Sequence, residues 1–92
     1  MNKITNEQLR AWAAEKLKNE GEDYCDGNGR SVELLVTPVL TIYLVANSFG
    51  YLAVDVDNGI DSAMHSESKE EYFYPALRIA YCCKEISGNG NK

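Results

Sequence analysis

The sequence predicts an α+β domain: a three- to four-stranded antiparallel meander flanked by an N-terminal and a C-terminal helix. An amphipathic stretch with a capping signal opens the chain at Thr5, and a second one follows Pro75. Between them, residues 31–65 are rich in β-branched and aromatic side chains and are punctuated by Pro38, Gly50 and Gly59. With 92 residues, 45% of them apolar, the chain is long enough for one domain (1–92) around one modest core.

Thr5 as N-cap with Gln8 three residues on makes a capping box, and Ile4 and Leu9 have the spacing of a hydrophobic staple. The first helix is expected over residues 6–19, burying Leu9, Trp12, Ala13 and Leu17 and turning Arg10, Glu15 and Lys18 away. Gly21 is the natural stop. Residues 20–30 hold three glycines and four acids without periodicity, and they read as an exposed, mobile loop.

Strands are expected over residues 32–37, 39–46, 51–56 and 60–65, with Pro38 separating the first two. A three-residue loop at Ser48-Phe49-Gly50 pairs Leu44 with Val54 and Ile42 with Val56 on one apolar face. For the next hairpin two registers compete. A two-residue Asn58-Gly59 turn mixes charge with the apolar face. A three-residue Asp57-Asn58-Gly59 loop aligns Val56 with Ile60, Val54 with Ser62 and Leu52 with Met64, and is preferred. The opposite face then carries Tyr43, Val45, Tyr51, Ala53, Asp55, Asp61, Ala63 and His65, with Asp55 directly across from Asp61. Pro75 suits the first turn of the closing helix, expected over residues 75–86 with Ala76, Ile79, Ala80, Cys83 and Ile86 inward and Arg78, Tyr81 and Glu85 outward. A capping box at Ser68 and Glu71 would strand Pro75 inside the helix, so a separate turn is expected at residues 67–73. Gly88 stops the helix, and residues 88–92 are expected to fray.

Nine Lys and Arg against fourteen Asp and Glu give a net charge of −5 and a pI near 4.7, which opposes direct gripping of nucleic-acid phosphates. The N-terminus lacks the apolar run of a signal peptide, so a cytoplasmic protein is expected, in the host cytosol if phage-encoded. Residues 32–46 are the most apolar stretch, but Glu33, Thr37 and Pro38 interrupt it and it falls short of the ~20 residues that span a bilayer. Cys25 and the adjacent Cys82 and Cys83 are an odd set without framework or metal spacing and read as small buried thiols.

No motif commits the chain to catalysis. Asp26-Gly27-Asn28-Gly29-Arg30 resembles the Gly-Asn-Gly-Arg stretch of the Fic nucleotidyl transferases, but the positions of that family's histidine and second arginine hold Glu22 and Glu33, which repel a phosphate. Residues 55–61 resemble the start of an EF-hand loop, yet glycine comes fifth rather than sixth and the twelfth residue is Ser66 in place of Glu. An opportunistic cation site at Asp55, Asp57 and Asp61 competes there with a solvated hairpin tip. His65, the single histidine, has no nucleophile at a diagnostic spacing. The expectation is therefore no enzyme, no catalytic residue, no metal and no cofactor.

Glu67-Ser68-Lys69-Glu70-Glu71-Tyr72-Phe73-Tyr74 sets acids beside three aromatics, a composition suited to a contact surface. The competing reading buries Phe73 under the sheet and lets Tyr72 and Tyr74 cover its edge. Glu67, Glu70, Glu71, Tyr72, Tyr74, Asp55, Asp57, Asp61, Tyr43 and Tyr51 are the expected partner-binding residues. The helix carrying Leu9-Arg10-Ala11-Trp12-Ala13-Ala14-Glu15-Lys16-Leu17, the meander, and the helix beginning Pro75-Ala76-Leu77-Arg78-Ile79-Ala80 resemble small phage-encoded α-β-α sandwich proteins, anti-CRISPR proteins among them. The middle departs from that pattern, with no central helix, and no site residue carries over. The resemblance implies an acidic, non-enzymatic inhibitor of a host defence complex. It would block a protein or protein–nucleic-acid surface, or mimic nucleic acid, without binding nucleic acid or membrane itself. The alternatives are a homo-oligomeric accessory protein, such as a homodimer, and a small metal- or nucleotide-binding enzyme.

Overall fold

The computed structural model describes residues 4–24, 27 and 29–90, with Tyr24 and residues 84–90 given by backbone only. Helix α1 (Asn6–Glu20) leads into strands β1 (Glu22–Tyr24), β2 (Gly29–Val36), β3 (Thr41–Asn47), β4 (Leu52–Asp57) and β5 (Ser62–Ser66), and helix α2 (Glu70–Gly90) closes the chain. The strands form one antiparallel sheet in the order β1-β2-β3-β4-β5. Both helices lie on one face of it and touch each other, Trp12 meeting Tyr81 edge-on at 5.2 Å. The fold is α+β with five strands, not three or four.

Local chemistry builds α1 as expected. Thr5 Oγ1 accepts from the Gln8 N–H at 3.1 Å, and Gln8 Oε1 accepts from the Thr5 N–H at 2.9 Å. Leu9, Ala13 and Leu17 are buried, while Ile4 and Trp12 are partly buried against the same core. Gly21 ends the helix by close approach: its N–H donates to the Leu17 C=O, and a Cβ there would lie 2.3 Å from that oxygen.

The expected mobile loop at residues 20–30 is partly sheet, since β1 pairs Glu22 with Ser31 and Tyr24 with Gly29. Arg30 secures this corner by donating to the carbonyls of Gly21 at 2.7 Å and Leu17 at 3.4 Å. Residues 25, 26 and 28, and with them Cys25 and much of the Fic-like stretch, lie outside the described residues. Pro38 falls in the β2–β3 turn. Thr37 Oγ1 there accepts from Leu40 N–H, which delays β3 to Thr41 and leaves Val39 exposed.

The β3–β4 register matches expectation, with Leu44 opposite Val54 and Ile42 opposite Val56. Asn47 Oδ1 accepts from the N–H groups of Phe49 and Tyr51, and Gly50 takes φ +88°, so the three-residue loop is fixed by its own residues. The β4–β5 hairpin differs from both registers considered. Val54 faces His65, Asp55 faces Met64, and Val56 faces Ala63. Asn58 N–H donates to the Asp61 C=O, so the tip is Gly59-Ile60, with Gly59 at φ +89°. The Asp57 and Asn58 side chains accept the N–H groups of Gly59, Ile60 and Asp61, which moves the turn one residue beyond Asn58-Gly59. Relative to the preferred three-residue loop, this register is displaced by an odd number of residues, which swaps faces. His65 and Ala63 therefore join the helix side, Met64 joins the other, and the Asp55–Asp61 repulsion never arises.

Helix α2 begins at Glu70, five residues before Pro75, because the Phe73 N–H can close the first turn on the Lys69 C=O. Burying Phe73 fully gains ~1.5–3 kcal/mol, comparable to the ~3 kcal/mol that an interior proline costs. Starting there also sets the phase. Phe73, Ala76, Leu77 and Ala80 form the buried stripe, Ile79 is 48% exposed instead of inward, and Tyr81 is half-buried against Trp12. Gly88 does not end the helix, which runs to Gly90. Cys82 is exposed and Cys83 half-buried, so the buried-thiol reading fails for Cys82; the side chain of Ile86 lies outside the described residues.

Candidate functional site

The core fills the helix side of the sheet with Val32, Leu34, Ile42, Leu44, Leu52 and Val54. Alternation, interrupted in β2 by a bulge between Glu33 and Leu35, sends the intervening residues to the other face, which neither helix covers. On that open face the pairing sets Glu33, Tyr43, Asp55 and Met64 in one row across β2, β3, β4 and β5. Adjacent members of such a row stand ~4.5–5.5 Å apart at Cβ. The next rows hold Glu22, Ser31, Val45, Ala53 and Ser66 on one side, and Val36, Thr41, Asp57 and Ser62 on the other. Val45 is the single buried residue of this face among the described residues. A shallow hollow of about 300 Å³ between Glu20, Glu22, Glu33 and Tyr43 adds a third carboxylate to one end, where Glu20 also pairs with Lys16 at 3.1 Å.

A second feature lies on the helix side. There the sheet extends past α2, leaving a cleft of about 420 Å³ lined by Ile42, Val56, Ala63 and His65 from the strands and by Tyr72, Pro75 and Ile79 from α2. The His65 and Tyr72 rings stack at 5.0 Å with 23° between planes. Asp61 and Glu71 are the acidic lining groups, and among the described residues no thiol, Lys or Arg lines the cleft.

The expected partner-binding residues therefore separate. Tyr43, Asp55 and Asp57 come together on the open face. Asp61, Glu71 and Tyr72 border the cleft, Glu70 is exposed in the first turn of α2, and Tyr51 is exposed beside the β3–β4 loop. Tyr74 is half-buried, edge-on to Phe73 at 5.0 Å. Glu67 is a structural tie and leaves the contact set. Its carboxylate accepts from Arg10 Nε at 2.8 Å and Nη2 at 3.2 Å, and from the Leu52 N–H at 2.8 Å. The Arg10 hydrogen bond, followed by the Leu52 N–H, holds the Glu67 carboxyl below its ordinary value despite partial burial, and the same pairing raises Arg10.

Glu33 and Glu22 were missed on the open face, and Ala63, His65 and Ile79 in the cleft. Glu33 was readable, because it alternates with Val32 and Leu34 inside an expected strand. The cleft residues depended on a hairpin register and a helix phase that the sequence left ambiguous.

Among the described residues no polar or charged side chain is buried, and no group of three or more His, Cys, Asp and Glu is placed to hold a metal ion. No helix of the described residues is long and apolar enough to cross a membrane. Comparison with known protein families, characterised proteins and solved structures finds no match.

Proposed function

We propose that this chain is a small acidic, non-enzymatic binding module. It lays the uncovered face of its sheet on a basic surface of a partner protein or protein–nucleic-acid complex, where phosphates would otherwise sit. One observation carries the reading: Glu33, Tyr43 and Asp55 stand side by side on a face without a cover. The five strands contain a single Lys or Arg, Arg30, and it is occupied at the end of α1. Carboxylates flanking a phenol offer charge for steering and contact area at low entropy cost, and they repel nucleic acid itself. The small size and net charge of −5 support the more specific form of the reading, a phage or prophage inhibitor that occupies such a surface on a host defence complex.

The test is affinity capture from host lysate, with and without nuclease, comparing the native chain with the triple variant Glu33→Lys, Tyr43→Ala, Asp55→Lys. A basic protein should be retained in both lysates, elute as salt rises from ~0.05 to ~0.3 M, and be absent from the variant. Retention that the triple variant leaves intact refutes the open face as the binding surface.

A further inference from the structure

We propose that β5 accepts an extended segment of a partner protein as an additional strand, one whose every second residue is aliphatic or, toward the ends, Lys or Arg. This site is the free edge of the sheet and the cleft behind it, so it stands apart from the open face.

The backbone supplies the first half of the argument. Asn58 N–H donates to the Asp61 C=O at 3.1 Å, and Glu67 N–H to the Leu52 C=O at 2.9 Å. In an antiparallel ladder residues alternate between pointing their backbone groups at the neighbour and away from it. Residues 61, 63, 65 and 67 therefore point theirs at β4, and Ser62, Met64 and Ser66 point theirs out of the sheet, where no strand follows. Lys69 N–H occupies the Ser66 C=O, but among the described residues no backbone hydrogen bond from outside the sheet reaches Ser62 or Met64. Edge strands are commonly blunted by charge or proline. The β5 sequence Ser-Ala-Met-His-Ser contains no Lys, Arg, Asp, Glu or Pro. Ala63 is exposed although it faces the helix layer, so α2 does not shield this edge.

The cleft supplies the second half. A strand added to β5 would lie ~4.8 Å beyond it and send every second side chain to the side of Ala63 and His65. The wall there is apolar, through Val56, Pro75 and Ile79, and the charged groups at it are Asp61 and Glu71, with no Lys or Arg among the lining residues. Among the side chains sent to that side, aliphatic ones match the wall and cationic ones at either end match the rim. The same rim disfavours a second copy of this chain, because pairing β5 with β5 brings two acidic rims into one interface between chains of net charge −5.

The probe is the peptide acetyl-Lys-Thr-Val-Thr-Val-Thr-Lys-amide, whose Lys and Val side chains share one face, titrated into the nitrogen-labelled full chain and followed by amide NMR. Ser62, Met64 and Ser66 amides are expected to shift with a single Kd. Met64→Pro removes an outward N–H that β4 does not use, and should weaken binding about tenfold or more with little change in thermal midpoint. If that variant fails to fold, peptides N-methylated on the valines or on the threonines serve instead, and one of the two sets must lose binding to a similar degree. Asp61→Asn with Glu71→Gln should weaken binding, and Tyr43→Ala on the open face should leave it unchanged, which separates this site from the function proposed above. No shift at ~1 mM peptide overturns the proposal. So do shifts confined to Glu33, Tyr43 and Asp55, affinity indifferent to Met64→Pro or to both methylations, and β5 shifts that grow with protein concentration alone.

Discussion

Removing the Glu67 carboxylate should destabilise this protein more than removing the arginine it pairs with. Arg10→Ala deletes a bidentate ion pair whose side chains are 41% and 22% exposed, so solvent screens it and the loss should be ~0.5–1 kcal/mol. Glu67→Ala deletes the same pair and also strands the N–H of Leu52, a residue only 5% exposed, which adds ~1–3 kcal/mol for an unsatisfied donor. The expected total is ~1.5–4 kcal/mol, or a fall of about 6–32 °C in Tm at roughly 4–8 °C per kcal/mol for a domain of this size. Glu67→Gln keeps a carbonyl oxygen for the Leu52 N–H and should resemble Arg10→Ala. The assay is urea unfolding by circular dichroism for all four proteins, repeated across pH. Because the folded Glu67 carboxyl is held below its ordinary value of 4.5, its contribution is complete above that value and is lost as pH falls through the lower, folded one. The gap between the native chain and Glu67→Gln should therefore close on the acid side. Glu67→Ala no worse than Arg10→Ala, or a gap that widens in acid, refutes the reasoning.

Helix phase is tested by Leu77→Ala, which empties a fully buried position and should cost ~2–5 kcal/mol in chemical denaturation, against less than ~1 kcal/mol for Ile79→Ala. Gly21→Ala sets a methyl against the Leu17 carbonyl and should cost ~1–3 kcal/mol. Gly59→Ala meets nothing within 4 Å and should cost only the ~1–2 kcal/mol of a left-handed backbone, with both values read from urea midpoints. Pro75→Ala restores an N–H for the Glu71 carbonyl inside α2 and should stabilise by roughly 1–2 kcal/mol; a fall in Tm would mean that the proline stiffens a turn the helix needs.

Where neighbouring residues decide the structure, the sequence was legible. The Thr5–Gln8 box and the Leu9, Ala13, Leu17 stripe suffice for α1, and Asn47 with Gly50 suffices for the β3–β4 register. Balance between competing terms hid the rest. At the β4–β5 tip the usual preference for Asn-Gly at the centre yields to two Asx side chains that bind the following N–H groups. At the start of α2 the cost of Pro75 is offset by burial of Phe73, a gain visible only once a sheet is there to receive the ring. Strand β1 has no apolar signal because it is held by Arg30 and by pairing to β2. On the open face Tyr43 and Asp55 followed from alternation alone, while Asp57, expected in the loop, joined them only through the β4–β5 register; Glu67 looked like a surface acid because its partner, Arg10, is distant in sequence.

Every strand of the sheet neighbours the strand made just before it, so during synthesis the ribbon can assemble hairpin by hairpin as it leaves the ribosome. Its greasy side cannot be sealed on that schedule. Leu44 and Val54 wait for Phe73 and Leu77, and the first turn of the chain waits for Arg78, whose guanidinium donates to the Ile4 carbonyl at 3.0 Å. Until the last helix emerges the nascent protein is a sheet whose apolar side α1 covers only in part, a state that invites chaperones and makes truncation within α2 far more damaging than loss of so small a segment would suggest.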